Sequence, residues 1–125
     1  VTRVTDEGLV IELFATDGSP LFVENSDKPT PLMRNLAGVV VEAVGLVSNG
    51  VAIGGHIRAH PVVLAENPVW ELSTARAART RNLLEIAGLR KDRVRRVTGH
   101  ADRDLAVRDP MANRNNRIEV VLLRN

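Results

Sequence analysis

Two residue pairs, Thr30-Pro31 and Asn67-Pro68, constrain the fold of this chain more than any other feature of its sequence. In each pair, a residue that favours the N-cap of a helix is followed by proline. Proline suits the first helical position because the N–H that it lacks would have no partner there. Each pair therefore predicts the start of an α-helix.

The residues that follow these pairs predict where the helices are buried and where they end. After Pro31, apolar residues recur at intervals of three and four, which is typical of a helix with a buried face. The expected buried positions are Leu32, Met33, Leu36, Val39, Val40, Ala43, Val44 and Val47. Asn49-Gly50 is expected to end this helix. The second helix should carry WELSTARAARTRNLLEIA and end at Gly88, which can adopt a left-handed cap conformation.

Four segments rich in β-formers predict strands. They are Gly8–Phe14, Val51 to Ile57, the DRVRRVTGH segment and the RIEVVLL segment. The order β-α-β-α-β-loop-β, with room for one short helix in the loop, predicts an α/β fold. We expect one domain over residues 1–125, a two-layer sandwich with both helices on one face of a small mixed sheet. Residues 1–7 are expected to be a linker and residues 20–31 a flexible loop.

The composition excludes several functions. The 125 residues include no cysteine, which rules out thiol chemistry and cysteine-based zinc sites. A net charge of +2 and only three aromatic residues predict no nucleic-acid partner. No uninterrupted apolar run reaches about 18 residues, so no membrane span is expected within this segment. Because the sequence starts at Val1, we expect a fragment or mature segment whose targeting signal lies elsewhere or has been removed.

The segment GGHIRAHP, at residues 54–61, brings two histidines and an arginine to the end of the second predicted strand. His56 and His60 would share a face only on a helix, and Pro61 opposes a helix there, so no metal is expected. Ser73 lies in a helical segment and not at a nucleophile elbow, which argues against an enzyme. We therefore predict a recognition loop without a cofactor. Trp70 is expected to anchor the start of the second helix in the core, and the alternative is a platform on which a sugar stacks.

Three patches, in this order along the chain, resemble the OmpA-like peptidoglycan-binding domain. Gly55-His56 ends a strand, WELSTARA opens a helix, and NNRIEVVL forms the last strand, where the family patterns are GHTD, NxxLSxxRA and NRRVE. The WELSTARA, GLRKDRVRRVTGHAD and PTPLMRNLAGVV segments are most similar to the MotB branch, the periplasmic domains of flagellar motor stator proteins. The resemblance extends from about Gly8 to Asn125.

The resemblance implies an OmpA-like fold and a non-catalytic role. Such domains bind the peptide stem of peptidoglycan through its diaminopimelate residue. In the MotB branch, they anchor a proton-driven stator to the cell wall. This implies a periplasmic location, a homodimer, and a stator channel partner reached through an inner-membrane segment that is not in this chain.

The resemblance also implies a set of ligand-binding residues. Leu72, Ser73, Arg76 and Ala77 match LSxxRA position for position. Arg76 is expected to bind a carboxylate of the stem peptide, because a guanidinium offers two parallel, charged donors. The complete expected set is His56, Arg58, Leu72, Ser73, Arg76, Ala77, Asp102 and Arg117.

The sequence departs from the family at three motif positions. Ile57 and Arg58 stand where the family has threonine and aspartate, and Val69 stands where it has asparagine. In one pocket, Arg58 and Arg76 would repel each other by roughly 3 kcal/mol at about 5 Å and an effective dielectric of about 20. Two functions therefore remain open. One is a wall-binding stator anchor, and the other is a structural or dimerisation domain whose wall binding is weakened or lost because of Arg58.

Asp102 is a candidate to replace the family aspartate, whose position is occupied by Arg58 in this sequence. If the second and third predicted strands run parallel, as a βαβ crossover requires, His56 and His100 end at the same edge of the sheet. Asp102 would then lie near Arg58 and could pair with it. The alternative is that Asp102 is an ordinary solvated loop residue.

Overall fold

The computed structural model of the protein describes residues 2–14, 16, 18–24, 26–57, 69–101 and 115–124, with the backbone alone for Val69. The elements, in chain order, are strand β1 (Thr2–Val4), strand β2 (Gly8–Phe14), helix α1 (Pro31–Val44), strand β3 (Val51–His56), helix α2 (Val69–Ile86), a 3-10 turn (Lys91–Arg93), strand β4 (Val94–Gly99) and strand β5 (Arg117–Leu123).

The strands form one mixed sheet in the order β1-β2-β5-β3-β4. Strands β3 and β4 are parallel and are joined through α2, whereas the other neighbours are antiparallel. One core unites apolar residues of both helices with Leu13, Ile53 and Val120 of the sheet. The predicted α/β sandwich, with its helices on one face of a mixed sheet, is confirmed. The segment predicted to be a linker contributes β1, which pairs with β2 at the edge of the sheet.

Helix α1 begins where the sequence predicts. The Thr30 hydroxyl accepts a hydrogen bond from the backbone N–H of Met33 at 3.3 Å, and Pro31 is the first helical residue. The predicted end at Asn49-Gly50 is wrong, because the helix ends at Val44. There, the side chain of Arg93 donates to the Val44 carbonyl at 2.8 Å and satisfies one of the acceptors that a helix end leaves unpaired.

Only part of the predicted apolar face of α1 is buried. The core receives Met33, Ala37, Val40 and Val44. By contrast, Leu32 and Val47 are exposed, and Val39 has 61% of its surface exposed. A helix that packs on one side buries one stripe, so neighbouring apolar positions in the same turn cannot all reach the core. Leu32, Val39 and Ala43 form an exposed apolar stripe on α1, whereas Leu36 is half-buried against the core.

Helix α2 lies unusually close to the sheet. The predicted start signal at Asn67-Pro68 lies outside the described residues. The predicted end is confirmed, since Gly88 has φ +121° and the N–H of Leu89 donates to the Leu84 carbonyl at 2.9 Å, as in a glycine-capped helix. On the sheet, a Cβ at Gly55 would lie 2.2 Å from the backbone oxygen of Ser73. The absence of a side chain at position 55 therefore allows the close packing of α2 on β3.

The segment between β2 and α1 is anchored by two apolar side chains. Leu21 and Phe22 are buried in the core. A turn follows, in which the N–H of Val23 donates to the Lys28 carbonyl at 2.9 Å and the N–H of Ser26 donates to the Val23 carbonyl at 3.0 Å. We call residues 21–30 the Ser26 loop. The expectation of a flexible loop was based on the polar residues of this segment, but the buried side chains of Leu21 and Phe22 attach it to the core.

Among the helices that the structure describes, none combines the length and apolar character needed to cross a lipid bilayer.

Candidate ligand-binding site

Arg76 lies between helix α2 and the Ser26 loop. Its Nε donates to the Ser26 carbonyl at 2.8 Å, and one Nη2 donor lies 3.4 Å from the Val23 carbonyl. The guanidinium carbon is 5.1 Å from the centre of the Phe22 ring, in cation–π range. Only 8% of Arg76 is exposed. The loop therefore fixes both the position and the orientation of this guanidinium.

Arg76 remains a cation at neutral pH. Burial lowers its pKa to about 10, and the nearby Asp27 carboxylate opposes this shift. A guanidinium has five N–H donors. The two carbonyl contacts engage Nε and one Nη2 donor, and Nη1 hydrogen-bonds to none of the residues that the structure describes. Its Nη1–Nη2 edge is thus uncommitted within the described part of the chain.

A second arginine attaches the same loop to α2. Nη2 of Arg79 lies 3.3 Å from Oδ2 of Asp27, and about two fifths of each side chain is exposed. Such surface ion pairs stabilise a fold by at most about 1 kcal/mol. The consequence is mainly geometric, because the pair holds the Asp27 carboxylate beside the Arg76 guanidinium.

The other expected residues of α2 lie beneath Arg76. Ser73 is fully buried, and its hydroxyl donates to the Trp70 carbonyl and accepts from the N–H of Ala101, both at 3.0 Å. Ala77 is fully buried against Gly55. Leu72 is half-buried and packs on a small cluster formed by Ile57 and Ala101. In this conformation, Ser73 and Ala77 offer no surface to a ligand and serve to position α2.

His56 lies on the other face of the sheet. Its ring stacks on that of His100, with 4.4 Å between the centroids and 3° between the planes. The prediction that these two histidines end at the same edge is confirmed, because β3 and β4 are parallel. Gly55 faces α2, so the alternation of a strand turns His56 away from it. Val51 and Ile53 lie in the core, so the alternation along β3 also places His56 on the opposite face.

Arg117 lies on the same face as His56, in an ionic network around Glu119. The carboxylate of Glu119 accepts from Nε of Arg117 at 3.1 Å and from Nη2 of Arg3 at 3.0 Å. Nε2 of His56 is 3.4 Å from its other oxygen, a close electrostatic contact. Arg3 also donates to Glu12 at 2.8 Å. Sequence reasoning missed Arg3, Glu12 and Glu119 as partners, although Glu119 is the acid of the NRRVE pattern.

The network controls the ionisation of Glu119. Burial by itself would raise the pKa of this carboxyl, but the neighbouring His56, Arg3 and Arg117 outweigh burial and hold the pKa well below its usual range. A cavity of about 340 Å³ opens beside the network on the helix-free face. The structure thus separates the expected site into two groups, with Arg76 on the helix side and His56 and Arg117 on the opposite side.

Three further expectations concern single residues. Arg58 and Asp102, and therefore their predicted ion pair, lie outside the described residues. Trp70 was expected to anchor the start of α2 in the core, and this is wrong because 46% of Trp70 is exposed. It is the only tryptophan in the chain.

Known proteins resemble the chain along nearly its whole length, although no family model matches it. Motility protein B of Escherichia coli K12 is 30% identical over 123 residues, which are 96% of this chain and 40% of that protein. The periplasmic domain of Helicobacter pylori MotB superposes with a TM-score of 0.80 at 18% identity, covering 99% of this chain and 81% of that one. The cell wall anchor of the T6SS from Pseudomonas aeruginosa superposes with a TM-score of 0.80 at 22% identity, covering 100% of this chain and 87% of that one.

The order and pairing of the strands and helices define the fold class. The fold is that of OmpA-like domains, and a solved OmpA-like domain from Francisella tularensis shares it with a TM-score of 0.68. The chain is similar in sequence to motility protein B, and the resemblance drawn from its sequence motifs is confirmed. The chain spans less than half the length of that relative.

Proposed function

We propose that this chain is a non-catalytic domain that binds peptidoglycan and thereby anchors a larger assembly to the cell wall. The names of its relatives support this proposal, since one is a motility protein and one structural neighbour is a cell wall anchor. The observation that carries the proposal is the fixed, cationic guanidinium of Arg76, with its Nη1–Nη2 edge uncommitted among the described residues.

The chemistry of Arg76 suits a peptide ligand. An arginine binds a carboxylate through two parallel hydrogen bonds, each strengthened by charge. Binding usually costs side-chain entropy, but the Ser26 and Val23 carbonyls have already ordered this side chain. The stem peptide of peptidoglycan carries the carboxylates that such a group binds.

The finer part of the proposal concerns the assembly. By its resemblance to motility protein B, the domain would anchor a flagellar motor stator, lie in the periplasm and act as a homodimer. It would reach its stator channel partner through an inner-membrane segment outside this chain.

The test is sedimentation of the pure domain with insoluble peptidoglycan sacculi. We expect the wild type to sediment and Arg76→Ala to lose roughly 10- to 100-fold in affinity, which is the worth of one or two charged hydrogen bonds. Arg76→Lys keeps the charge but not the paired donors, so we expect it to lose at least about tenfold.

Arg81→Ala is the matched control, because Arg81 lies on the same helix and, among the described residues, forms an ion pair with Glu85 alone. Circular dichroism and thermal unfolding check that each variant is folded. A wild type that stays in the supernatant, or a folded Arg76→Lys that binds as well as the wild type, would contradict the proposal.

The exposed stripe of α1 favours a second candidate, a domain that works through dimerisation. Leu32, Leu36, Val39 and Ala43 follow the 4-3-4 spacing of helices that pair, and all but the half-buried Leu36 are exposed. Val39 is the most exposed large apolar residue that the structure describes within α1. If two copies associate here, Val39→Lys should shift a dimer to monomer in analytical ultracentrifugation while leaving the thermal midpoint within a few degrees. A wild type that is monomeric at high concentration, or an unchanged dimer in the variant, would contradict this candidate.

A further inference from the structure

The two most exposed large apolar side chains of the described residues lie at one end of the domain. Leu46, in the turn after α1, is 87% exposed, and Ile86, the last residue of α2, is 78% exposed. Both helices end here, since a Cβ at Gly88 would lie 3.9 Å from the side chain of Val41. Val47 is exposed as well. We call Leu46, Val47 and Ile86 the apolar tip, and apolar surface grouped in this way indicates an interaction site.

Two cations near the apolar tip form no ion pair with the residues that the structure describes. Lys91 lies in the 3-10 turn that follows α2. Arg95 lies beside the turn that leads from the tip into β3, because its Cγ is 2.7 Å from the position of a Cβ at Gly50. Both side chains belong to exposed residues. Their charges are therefore available to an anionic partner.

The ends of the helices do not account for these two cations. A cation commonly stabilises the last turn of a helix, where carbonyl groups have no partner. At the end of α1, Arg93 has this role, since it donates to the carbonyls of Val44 at 2.8 Å and Asn49 at 2.7 Å. Among the described residues, Lys91 and Arg95 donate to no such carbonyl. Arg93 thus stabilises the fold, whereas Lys91 and Arg95 face solvent.

The acids near the apolar tip do not cancel its positive charge. Residues 39–50 and 86–95 contain four cations and two acids. One of the acids, Asp92, already pairs with Arg90 at 2.6 Å, and the other, Glu42, lies at an exposed position on α1. This end of the domain therefore combines exposed aliphatic side chains with an excess of positive charge.

We propose that the apolar tip and its cations dock on the surface of a bilayer that contains anionic lipids. Aliphatic side chains enter the level of the headgroups at such a surface, and Lys and Arg bind the lipid phosphates. A second copy of the chain fits less well, because a two-fold contact here would bring Lys91 and Arg95 against the same cations of the partner.

This inference does not rest on the proposed function. Arg76 and Ile86 are ten residues apart on α2, which correspond to about 15 Å of helix. The Ser26 loop joins the start of α1, whereas the apolar tip follows its end. A bilayer at the tip therefore leaves Arg76 free to bind its own ligand.

Flotation with lipid vesicles tests the proposal. One set of vesicles contains phosphatidylcholine alone, and the other is a mixture of phosphatidylcholine and phosphatidylglycerol. We expect the wild type to bind the anionic vesicles at least about fivefold more tightly, the factor that one cation contributes near an anionic surface. Lys91→Gln and Arg95→Gln should each lower this affinity roughly fivefold. Leu46→Ser combined with Ile86→Ser should lower it at least about tenfold, because two aliphatic side chains lose their contact with the headgroup layer.

The start of α1 offers matched controls at the other end of the domain. Leu32→Ser removes an exposed leucine, and Arg34→Gln removes an exposed cation. Neither substitution should change vesicle binding. Circular dichroism checks that every variant is folded, and sedimentation with sacculi should be the same for the tip variants as for the wild type.

Quenching by brominated lipids tests the orientation. Trp70, the single tryptophan, lies 16 residues before Ile86 on α2, which correspond to about 24 Å of helix. Bromine quenches only a tryptophan that reaches the bilayer. We therefore expect Trp70 to stay unquenched in the wild type, and Ile86→Trp in a Trp70→Phe background to be quenched.

A wild type that does not float, or that binds neutral and anionic vesicles equally, would overturn the proposal. A folded tip variant that binds like the wild type would do the same, and so would quenching of Trp70 in the wild type. If the wild type binds no vesicles but self-associates, and the tip variant does not, the apolar tip pairs with a second copy and the proposal fails. Binding to sacculi is scored separately, so each of these results leaves the proposed function intact.

Discussion

Alanine at position 55 is expected to destabilise the protein by about 3 kcal/mol, the upper part of the usual range for overpacking. The added Cβ would lie 2.2 Å from the backbone oxygen of Ser73 and 3.3 Å from the Cβ of Ala77. Neither obstacle can rotate away, since one is helix backbone and the other a methyl group on the same helix. Strand β3 cannot yield either, because it is hydrogen-bonded to β5 on one side and β4 on the other.

Urea unfolding followed by circular dichroism measures this effect. The matched control is Gly38→Ala in α1, where an added Cβ would meet nothing within 4 Å. That substitution should stabilise the protein by up to about 1 kcal/mol, because alanine is the better helix former. Equal unfolding midpoints for the wild type and Gly55→Ala would show that α2 can move off the sheet without cost, contrary to our interpretation.

Gly55→Ala also tests the dependence of the proposed site on packing. Arg76 and Ala77 are adjacent on α2, so a helix displaced at Ala77 carries the guanidinium with it. We therefore expect weaker binding to sacculi in whatever fraction of Gly55→Ala remains folded.

Glutamine at position 119 is expected to destabilise the protein by about 3 kcal/mol at neutral pH, as when one member of a buried ion pair is removed. The substitution keeps the shape of the side chain but removes the charge that faces Arg3, Arg117 and His56. It also places an amide NH2 where these donors need an acceptor. Urea unfolding at pH 7 measures the loss.

The same carboxylate makes stability depend on pH. The pKa of Glu119 is lower in the folded protein than its unfolded value of about 4.5, so its contribution is complete above about pH 4.5. As the pH falls below that value towards the folded pKa, the contribution is lost. We expect the gap in unfolding free energy between the wild type and Glu119→Gln to narrow between pH 5 and pH 3.

The control for this pH series is Glu42→Gln, at an exposed position on α1. This variant should follow the wild type at every pH. A gap between the wild type and Glu119→Gln that stays constant down to pH 3 would contradict the assignment of the pH dependence to Glu119.

The division of the expected site has a consequence for function. His56 and Arg117 stabilise the sheet through Glu119, whereas Arg76 faces the Ser26 loop. The resemblance grouped these residues because their motifs follow one another in the sequence. We expect substitutions at His56 to lower stability first and to weaken ligand binding only through loss of fold.

The helix boundaries show which signals can be read from sequence. The start of α1 at Thr30-Pro31 and the end of α2 near Gly88 were predicted correctly, because capping involves residues a few positions apart. The end of α1 was placed at Asn49-Gly50, but the helix is capped earlier by Gly45, and Arg93 adds a hydrogen bond to the Val44 carbonyl from another part of the chain. The exposed stripe of α1 was missed because periodicity reveals an apolar face but not what covers it.

By itself, the sequence determined the α/β class, the four principal strands, the two helices and the resemblance to OmpA-like domains. It also predicted that a parallel crossover would bring His56 and His100 to the same edge of the sheet. These follow from caps, periodicity and motifs, which act over short distances along the chain. Only the tertiary structure decided that β1 joins the sheet, that Arg3 reaches Glu119 across 116 positions, and that the Ser26 loop holds Arg76. Such contacts depend on which surfaces meet when the strands assemble. Patterns among neighbouring residues do not predict which distant residues will come into contact.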